Sequence, residues 1–237
     1  MLLSNLFYPR TCPFCGRYIS DRQLAEEHVE WLCPECWIKL PRTEQDKLPQ
    51  NSTETALTEG KTARKLSLHL DRAAAYLFFE KEHPIRHMIH RMKYADEPEL
   101  GFWMGRQAVL DWRDETFFDD LDVLIPMPLY PRRMRERGYN QSEYIARGIS
   151  EITGIPVDTT HVTRTRNTPQ QALQDGEARK TNVAGAFAVN HPEQLYHKRI
   201  MVVDDLITTG ETMKACLGAM KAFRGAKFSV FALCKTR

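Results

Sequence analysis

Residues 199–215 read Arg-Ile-Met-Val-Val-Asp-Asp-Leu-Ile-Thr-Thr-Gly-Glu-Thr-Met-Lys-Ala, and the fold class follows from how this stretch changes character. Ile200 to Val203 are apolar and mostly β-branched, and the run stops at two acids, Asp204 and Asp205. A continuous apolar run ending at polar residues reads as a buried strand of a parallel sheet. After Leu206 and Ile207 come Thr208-Thr209-Gly210-Glu211-Thr212, then a helical pattern to about Phe223. Thr208 or Thr209 is the expected N-cap, and Gly210 lets the backbone approach a ligand closely. Strand, short polar turn and helix start gather unbonded amides and the positive end of a helix dipole around an anion. The ligand this predicts is a phosphate. The loop lacks the Gly-Lys-Ser/Thr of a P-loop, and its single glycine excludes a Rossmann fingerprint.

The two acids restrict which phosphate. Asp204 and Asp205 would repel one placed directly on them. They suit hydroxyl donors, or a cation. A vicinal diol at one end and a phosphate at the other, as in ribose 5-phosphate, satisfies both halves of the stretch. The alternative is an ordinary strand and capped helix, which leaves two adjacent acids at a buried strand end without a partner. Hydrophobic run, Asp-Asp, two residues, Thr-Thr-Gly-x-Thr resembles the signature of type I phosphoribosyltransferases. That resemblance implies that Asp204 and Asp205 hold the ribose 2- and 3-hydroxyls. It implies that Leu206, Ile207, Thr208, Thr209, Gly210, Glu211 and Thr212 form the loop around the 5-phosphate of phosphoribosyl pyrophosphate (PRPP), which enters with Mg²⁺. Glu211 adds a negative charge beside that anion.

The chain has 237 residues, 42% of them hydrophobic, enough for one large domain or one with a small appendage. A net charge of +2 gives no argument for nucleic acid by itself. No stretch approaches the roughly eighteen apolar residues of a membrane span, and the first ten residues lack the basic start of a signal peptide. A cytoplasmic location is expected.

Near the N-terminus, Cys12-Pro-Phe-Cys15 and Cys33-Pro-Glu-Cys36 stand seventeen residues apart. Two such pairs predict a closed structural zinc site in which Cys12, Cys15, Cys33 and Cys36 complete a tetrahedron. Gly16 permits the sharp turn. Two disulfides are the competing reading, disfavoured by the expected compartment. His28 is read as a surface residue, and Cys216 and Cys234 as small core residues. Residues 43–62 are polar with scattered apolar positions, a linker or long excursion. The division expected is a zinc-ribbon-like module at 1–45, a linker at 46–65 and an α/β domain at 66–237, a mostly parallel sheet flanked by helices.

Within that domain a strand is expected over 72–79, then a helix opened by Pro84, with Ile85, Met88, Ile89 and Met92 on one face. His87, His90, Arg91 and Lys93 share the other faces, read as a solvated basic surface. A second helix is expected over 99–112 and a strand over 121–125. Pro126 and Pro128 end that strand, and Arg132, Arg133, Arg135 and Arg137 follow within six residues. A helix is expected from about Asn140 to Ser142 onward. A loop at the carboxyl end of a parallel strand faces the same crevice as the Asp-Asp loop. Arginine forks there suit a diphosphate, with Arg137, Asn140 and Gln141 as pyrophosphate or lid candidates. Arg132, Arg133 and Arg135 are also candidates for nucleic acid. Residues 161–187 carry few apolar side chains over a length that suits a lid shielding a reactive ribosyl centre from water, Arg164 and Arg179 among them. The last strand is expected over 228–234.

The paired cysteines, Pro126-x-Pro128, Arg137-Gly-Tyr-Asn-Gln141, Arg164…Thr168…Gln170…Leu173…Arg179…Asn182…Phe187 and the Asp-Asp-Thr-Thr-Gly loop together resemble the ComF (GntX-like) family. The resemblance covers nearly the whole chain. It implies a zinc-ribbon-like module joined to a phosphoribosyltransferase-fold domain, and for some members a part in natural competence and the handling of single-stranded DNA. Two functions follow as expectations: phosphoribosyl transfer from PRPP with release of pyrophosphate, or a non-enzymatic module gripping single-stranded DNA or a helicase partner. Trp31, Trp37 and Tyr139 are the aromatics available for stacking in the second case. No residue stands out as a general base.

Overall fold

A computed structural model describes residues 10–20, 30–45, 51–59, 70–112, 116–166 and 185–237. In chain order the elements are α1 (Pro34–Ile38), α2 (Ser52–Thr58), β1 (Leu70–Phe79), α3 (Ile85–Tyr94), α4 (Pro98–Asp111), β2 (Val123–Pro126), α5 (Pro131–Arg137), α6 (Gln141–Thr153), β3 (Val162–Arg164), β4 (Phe187–Val189), β5 (Arg199–Ile207), α7 (Glu211–Met220) and β6 (Lys227–Thr236).

Four strands form a wholly parallel sheet in the order β1-β6-β5-β2. A parallel bridge between Leu124 and Val157 extends it past β2. Ile200 to Val203 and Val230 to Cys234 are fully buried, as central strands covered on both faces require. One face packs Met201, Val203, Phe231 and Leu233 against α3, α4 and α6. The other packs Ile200, Val202, Val230 and Ala232 against α7, Leu57 of α2 and the β3–β4 pair. This is the expected α/β architecture. Because every strand of the main sheet runs the same way, the loops after β2 and β5 emerge at one edge.

Helix α4 crosses α6 at very close range. A Cβ on Gly105 would lie 2.2 Å from the Ile145 carbonyl oxygen, and one on Gly148 2.0 Å from that of Phe102. Only glycine permits this approach, and it seats α6 hard against the layer beneath the sheet edge.

The N-terminal module and the stretch expected as a linker are integrated into this body. Cys12, Phe14, Ile19, Leu32, Cys33 and Cys36 belong to the same buried cluster as Ala74, Trp103 and Phe231. Trp37 meets Trp103 edge to face at 5.7 Å. Arg42 forms an ion pair with Asp111, and the amides of Thr43 and Phe78 bond Tyr76 and Pro41 across the Arg42–Leu77 bridge. The boundary expected at residue 45 thus adjoins a segment zipped onto β1. Within the 46–65 stretch, residues 51–59 form α2 and its flanks. Asn51 caps that helix by accepting from the amides of Thr53 and Glu54, and donates to the Ala73 carbonyl at 2.7 Å. Asn51, Thr53 and Leu57 are buried, so polarity here marks a helix with one covered face.

Candidate functional site

At the carboxyl end of β5, Asp204 and Asp205 are both buried. Helix α6 starts directly against them. Ser142 Oγ donates to Asp204 Oδ1 at 3.2 Å, and Gln141 Nε2 donates to Asp205 Oδ2 at 3.2 Å. The Asp205 amide donates to Asp204 Oδ1 at 2.8 Å. Lys93 of α3 reaches the same oxygen of Asp205 as Gln141, its Nζ 2.9 Å away. Burial first, and the Asp205 carboxylate second, push the Asp204 carboxyl up to about 7. The site therefore holds one acid in contact with an ammonium and one whose hydrogen-bond donors are neutral.

Lys93 corrects the expectation of a solvated basic face on α3. It stands eight residues after Ile85 and four after Ile89, on the buried stripe. That spacing was the available signal, since a lysine on an apolar stripe needs a carboxylate. Removing one partner of such a buried pair costs about 3–5 kcal/mol.

The turn after β5 has the predicted form with a different cap. Gly210, with φ of 75°, is the N-cap of α7, and no side chain caps the helix. Neither threonine takes that role. Among the described residues, Thr208, Thr209, Gly210, Thr212 and Met213 donate no backbone hydrogen bond, and the first in α7 runs from Lys214 to the Gly210 carbonyl at 2.8 Å. Beneath the turn, Leu57 and Ala56 of α2 close the space under Gly210, where a Cβ would lie 3.0 Å from Leu57 Cδ2. Glu211 does not oppose an anion alone: its carboxylate lies 3.1 Å from the buried Nζ of Lys214, which also donates to the Glu59 carbonyl at 3.3 Å.

The arginines after β2 lie on α5, a helix rather than the expected loop. Pro131 in its first turn and Gly138 in the left-handed conformation after Arg137 bound it, a pairing of start and stop residues visible in the sequence. Arg132 pairs with Glu136 at 2.7 Å on an exposed face. Arg135 is exposed and Arg133 half-buried. Arg137 lies over the Tyr94 ring at 5.0 Å. Arg164, on β3, stacks over Phe187 at 5.4 Å. Burial, then repulsion from Arg133, lowers its pKa, and attraction from Asp204 opposes this. Arg164 thus lies within electrostatic reach of both Arg133 and Asp204. Asn140, expected near pyrophosphate, is occupied structurally: it caps α6 through the Ser142 amide at 3.2 Å and donates to the Met127 carbonyl at 3.0 Å. Gln141 faces Asp205, as above. Arg179, with Thr168, Gln170, Leu173 and Asn182, lies outside the described residues, as does His28. The arms of the expected lid form the antiparallel β3–β4 pair.

The four N-terminal cysteines converge. Their Sγ atoms all lie within 4.8 Å of one another, with Cys15 and Cys33 3.8 Å apart. Zn–S bonds of about 2.3 Å in a tetrahedron require sulfurs about 3.8 Å apart, so the set fits a zinc-type ion. Burial raises the Cys33 thiol to about 11, and a bound divalent cation is what holds such groups as thiolates. Cys216 and Cys234 are buried core residues, as expected. No helix among the described residues is long and apolar enough to cross a membrane.

No family model matches the chain. It is 31% identical over 156 residues to DNA utilization protein YhgH of Escherichia coli K12, covering 65% of this chain and 68% of that protein. The same identity and coverage relate it to the protein of that name in Shigella flexneri. Competence protein F of Haemophilus influenzae is 33% identical over 135 residues, 55% of this chain and 58% of the relative. Among solved structures, that of the allosteric regulatory enzyme of purine biosynthesis aligns at a TM-score of 0.35 and 18% identity, over 55% of this chain and 25% of the other. With the cysteine cluster, the parallel sheet and relatives of these names in hand, the chain belongs to the ComF family.

Proposed function

We propose that the edge formed by β5, the 208–212 turn and α6 binds a ribose 5-phosphate unit, PRPP with Mg²⁺ being the form that reacts. The observation that carries this reading is the juxtaposition of two buried carboxylates with a turn in which the amides of Thr208, Thr209, Gly210, Thr212 and Met213 donate no backbone hydrogen bond among the described residues. Asp204 takes the diol, with Asp205 held beside it by Lys93, and the amides of Thr208, Thr209, Gly210, Thr212 and Met213 take the 5-phosphate at the positive end of α7. Arg164, within electrostatic reach of Asp204 and of Arg133, would meet the departing pyrophosphate, with Arg133 and Arg137 as further candidates. In the reaction a nucleophile bonds to the anomeric carbon while the bond from that carbon to the pyrophosphate oxygen breaks, the charge of the departing anion being met by guanidinium groups. Positioning and electrostatic stabilisation supply the rate. Cys12, Cys15, Cys33 and Cys36 hold a structural zinc in a reducing, cytoplasmic setting.

Calorimetry with PRPP and Mg²⁺, run beside pyrophosphate release over a panel of acceptors, tests this. Binding with turnover supports the transferase, and binding without turnover supports a sensor. Absence of binding removes the reading.

A second reading is favoured by the exposed arginine face of α5 and by the names of the relatives, which refer to DNA utilization and competence. In it, Arg132, Arg133 and Arg135 grip single-stranded DNA, alone or with a helicase partner. Oligonucleotide binding that weakens steeply with salt, and is lost when these three are replaced by alanine, supports it.

A further inference from the structure

The two acids at the end of β5 are not equivalent, and the difference comes from α3. Oδ2 of Asp205 receives both the Lys93 ammonium at 2.9 Å and the Gln141 amide at 3.2 Å. Lys93 and Asp205 are each about nine-tenths buried along their side chains, so this pair is desolvated and strong. Asp204 has only neutral donors, Ser142 Oγ and the Asp205 amide, both on Oδ1. Its Oδ2 accepts no hydrogen bond among the described residues. Gln141, whose Nε2 bonds Asp205, has its Oε1 buried with no hydrogen-bond partner among the described residues, an acceptor that needs a donor. Asn140 fixes Gln141 at the first turn of α6 by capping the helix.

Among the described residues, the titratable and polar groups within contact or electrostatic reach of the pair are Lys93 of α3, Gln141 and Ser142 of α6, Arg164 of β3, Cys216 of α7 and Cys234 of β6. Among them Lys93 is the one cation in contact with a carboxylate of the pair. A sugar hydroxyl arriving at Asp205 must compete with an ammonium in direct contact, whereas Asp204 has no ion-pair partner among the described residues.

We propose that Lys93 is a positioning residue of this site: its ammonium engages Asp205 as a fixed internal pair and thereby leaves Asp204, with Gln141 Oε1, to receive the ribose diol. This rests on the ribose phosphate reading above and assigns the roles within it. Lys93 then acts through Asp205 and touches no ligand.

The test is calorimetry of the full chain with ribose 5-phosphate and with 2-deoxyribose 5-phosphate, which lacks one hydroxyl of the diol. Wild type is expected to prefer the ribose form. At about pH 8, above the raised value at which Asp204 ionises, Asp204→Asn should weaken ribose 5-phosphate by about tenfold or more, the size of a lost hydrogen bond to a charged acceptor, and abolish the preference. Lys93→Met alone should weaken binding because it strands Asp205. Lys93→Met combined with Asp205→Asn removes both charges and should restore affinity and preference toward wild type. A folded double variant that fails to bind, or an Asp204→Asn protein with unaltered preference, overturns the proposal. Should the double variant fail to fold, Lys93→Arg decides: retained preference supports the role, and loss of preference in a folded protein overturns it. Wild type that binds neither sugar phosphate removes the site reading itself, a result distinguishable from all of these.

Discussion

Replacing Asp204 with asparagine gives a pH-dependent stability change whose sign is fixed by the geometry of the β5 edge. Burial raises the Asp204 carboxyl from the ordinary aspartate value of 3.8 to about 7, the Asp205 carboxylate adds to this, and the Asp205 amide, Lys93 and Ser142 oppose it. In the unfolded chain the proton leaves near 4; in the folded chain it stays until about 7. Between those values the folded state binds the extra proton. The stability it contributes is therefore fully present below about pH 4 and is lost as pH rises toward 7. At about 1.4 kcal/mol per pH unit, that span corresponds to an upper bound of about 4 kcal/mol, lowered in practice because Asp204 titrates together with its neighbours. Asparagine keeps a carbonyl oxygen for the Ser142 hydroxyl and the Asp205 amide and does not titrate.

Urea unfolding of wild type and Asp204→Asn, at several values between about pH 5 and about pH 8 and constant ionic strength, isolates the effect. Acids such as Asp122, held low first by the Arg199 amide, tilt both curves alike and cancel in the difference. Wild-type stability minus that of the variant should fall by roughly 1–3 kcal/mol from the acid to the alkaline end, since only the upper part of the titration is sampled. A difference that is flat, or that grows with pH, refutes the reasoning. It would mean that Asp204 is already ionised in the folded chain at the acid end.

The remaining expectations concern how the site is held. Gly148→Ala places a methyl group 2.0 Å from the Phe102 carbonyl oxygen. The variant should lose about 1–3 kcal/mol or more in urea unfolding as α4 and α6 separate, and markedly less would mean the helices yield cheaply. Asn140→Ala removes both the cap of α6 and the tether to Met127, and should cost about 1–2 kcal/mol, with Asn140→Asp recovering the cap portion; equal losses in the two would reject the capping account. Cys33→Ser should release metal to a colorimetric chelator and lower the unfolding midpoint of the whole chain. A separate early transition confined to the N-terminal residues would show instead that the module is energetically independent.

The sequence carried the parallel sheet because Ile200 to Val203 and Val230 to Cys234 are uninterrupted apolar runs, and such runs have few other structural solutions. It also carried the cysteine cluster, since the four-ligand spacing is itself the geometry. What it concealed was pairing across sequence distance. Lys93 and Asp205 are far apart in the chain, and nothing local to Lys93 names its partner. Only its position on the Ile85–Ile89 stripe hinted at burial. Residues 51–59 failed as a linker for a related reason: Asn51 and Thr53 are polar because they satisfy the helix start, Ala73 and Gln45, not because they face water. The short helix α5 was legible from Pro131 and Gly138 but was hidden behind the density of arginines between them.

The placement of α3 explains why the cysteine module is packed into the body instead of tethered to it. Arg91 donates to the Thr11 carbonyl at 2.9 Å, next to Cys12, and forms a two-point ion pair with Glu97. Two residues later Lys93 reaches Asp205. One rigid turn of helix therefore fixes the module at one point and the acid pair at another. A buried ammonium must be aimed accurately, because a displaced one leaves two uncompensated charges out of water. The apolar stripe of α3 belongs to one buried cluster with Phe14, Cys12 and Leu40 of the module and with Met201 and Val203 of β5, and close packing of that cluster restricts the aim. The cysteine module and the acid pair are thus joined through α3, which meets the module at Thr11 and the sheet edge at Asp205.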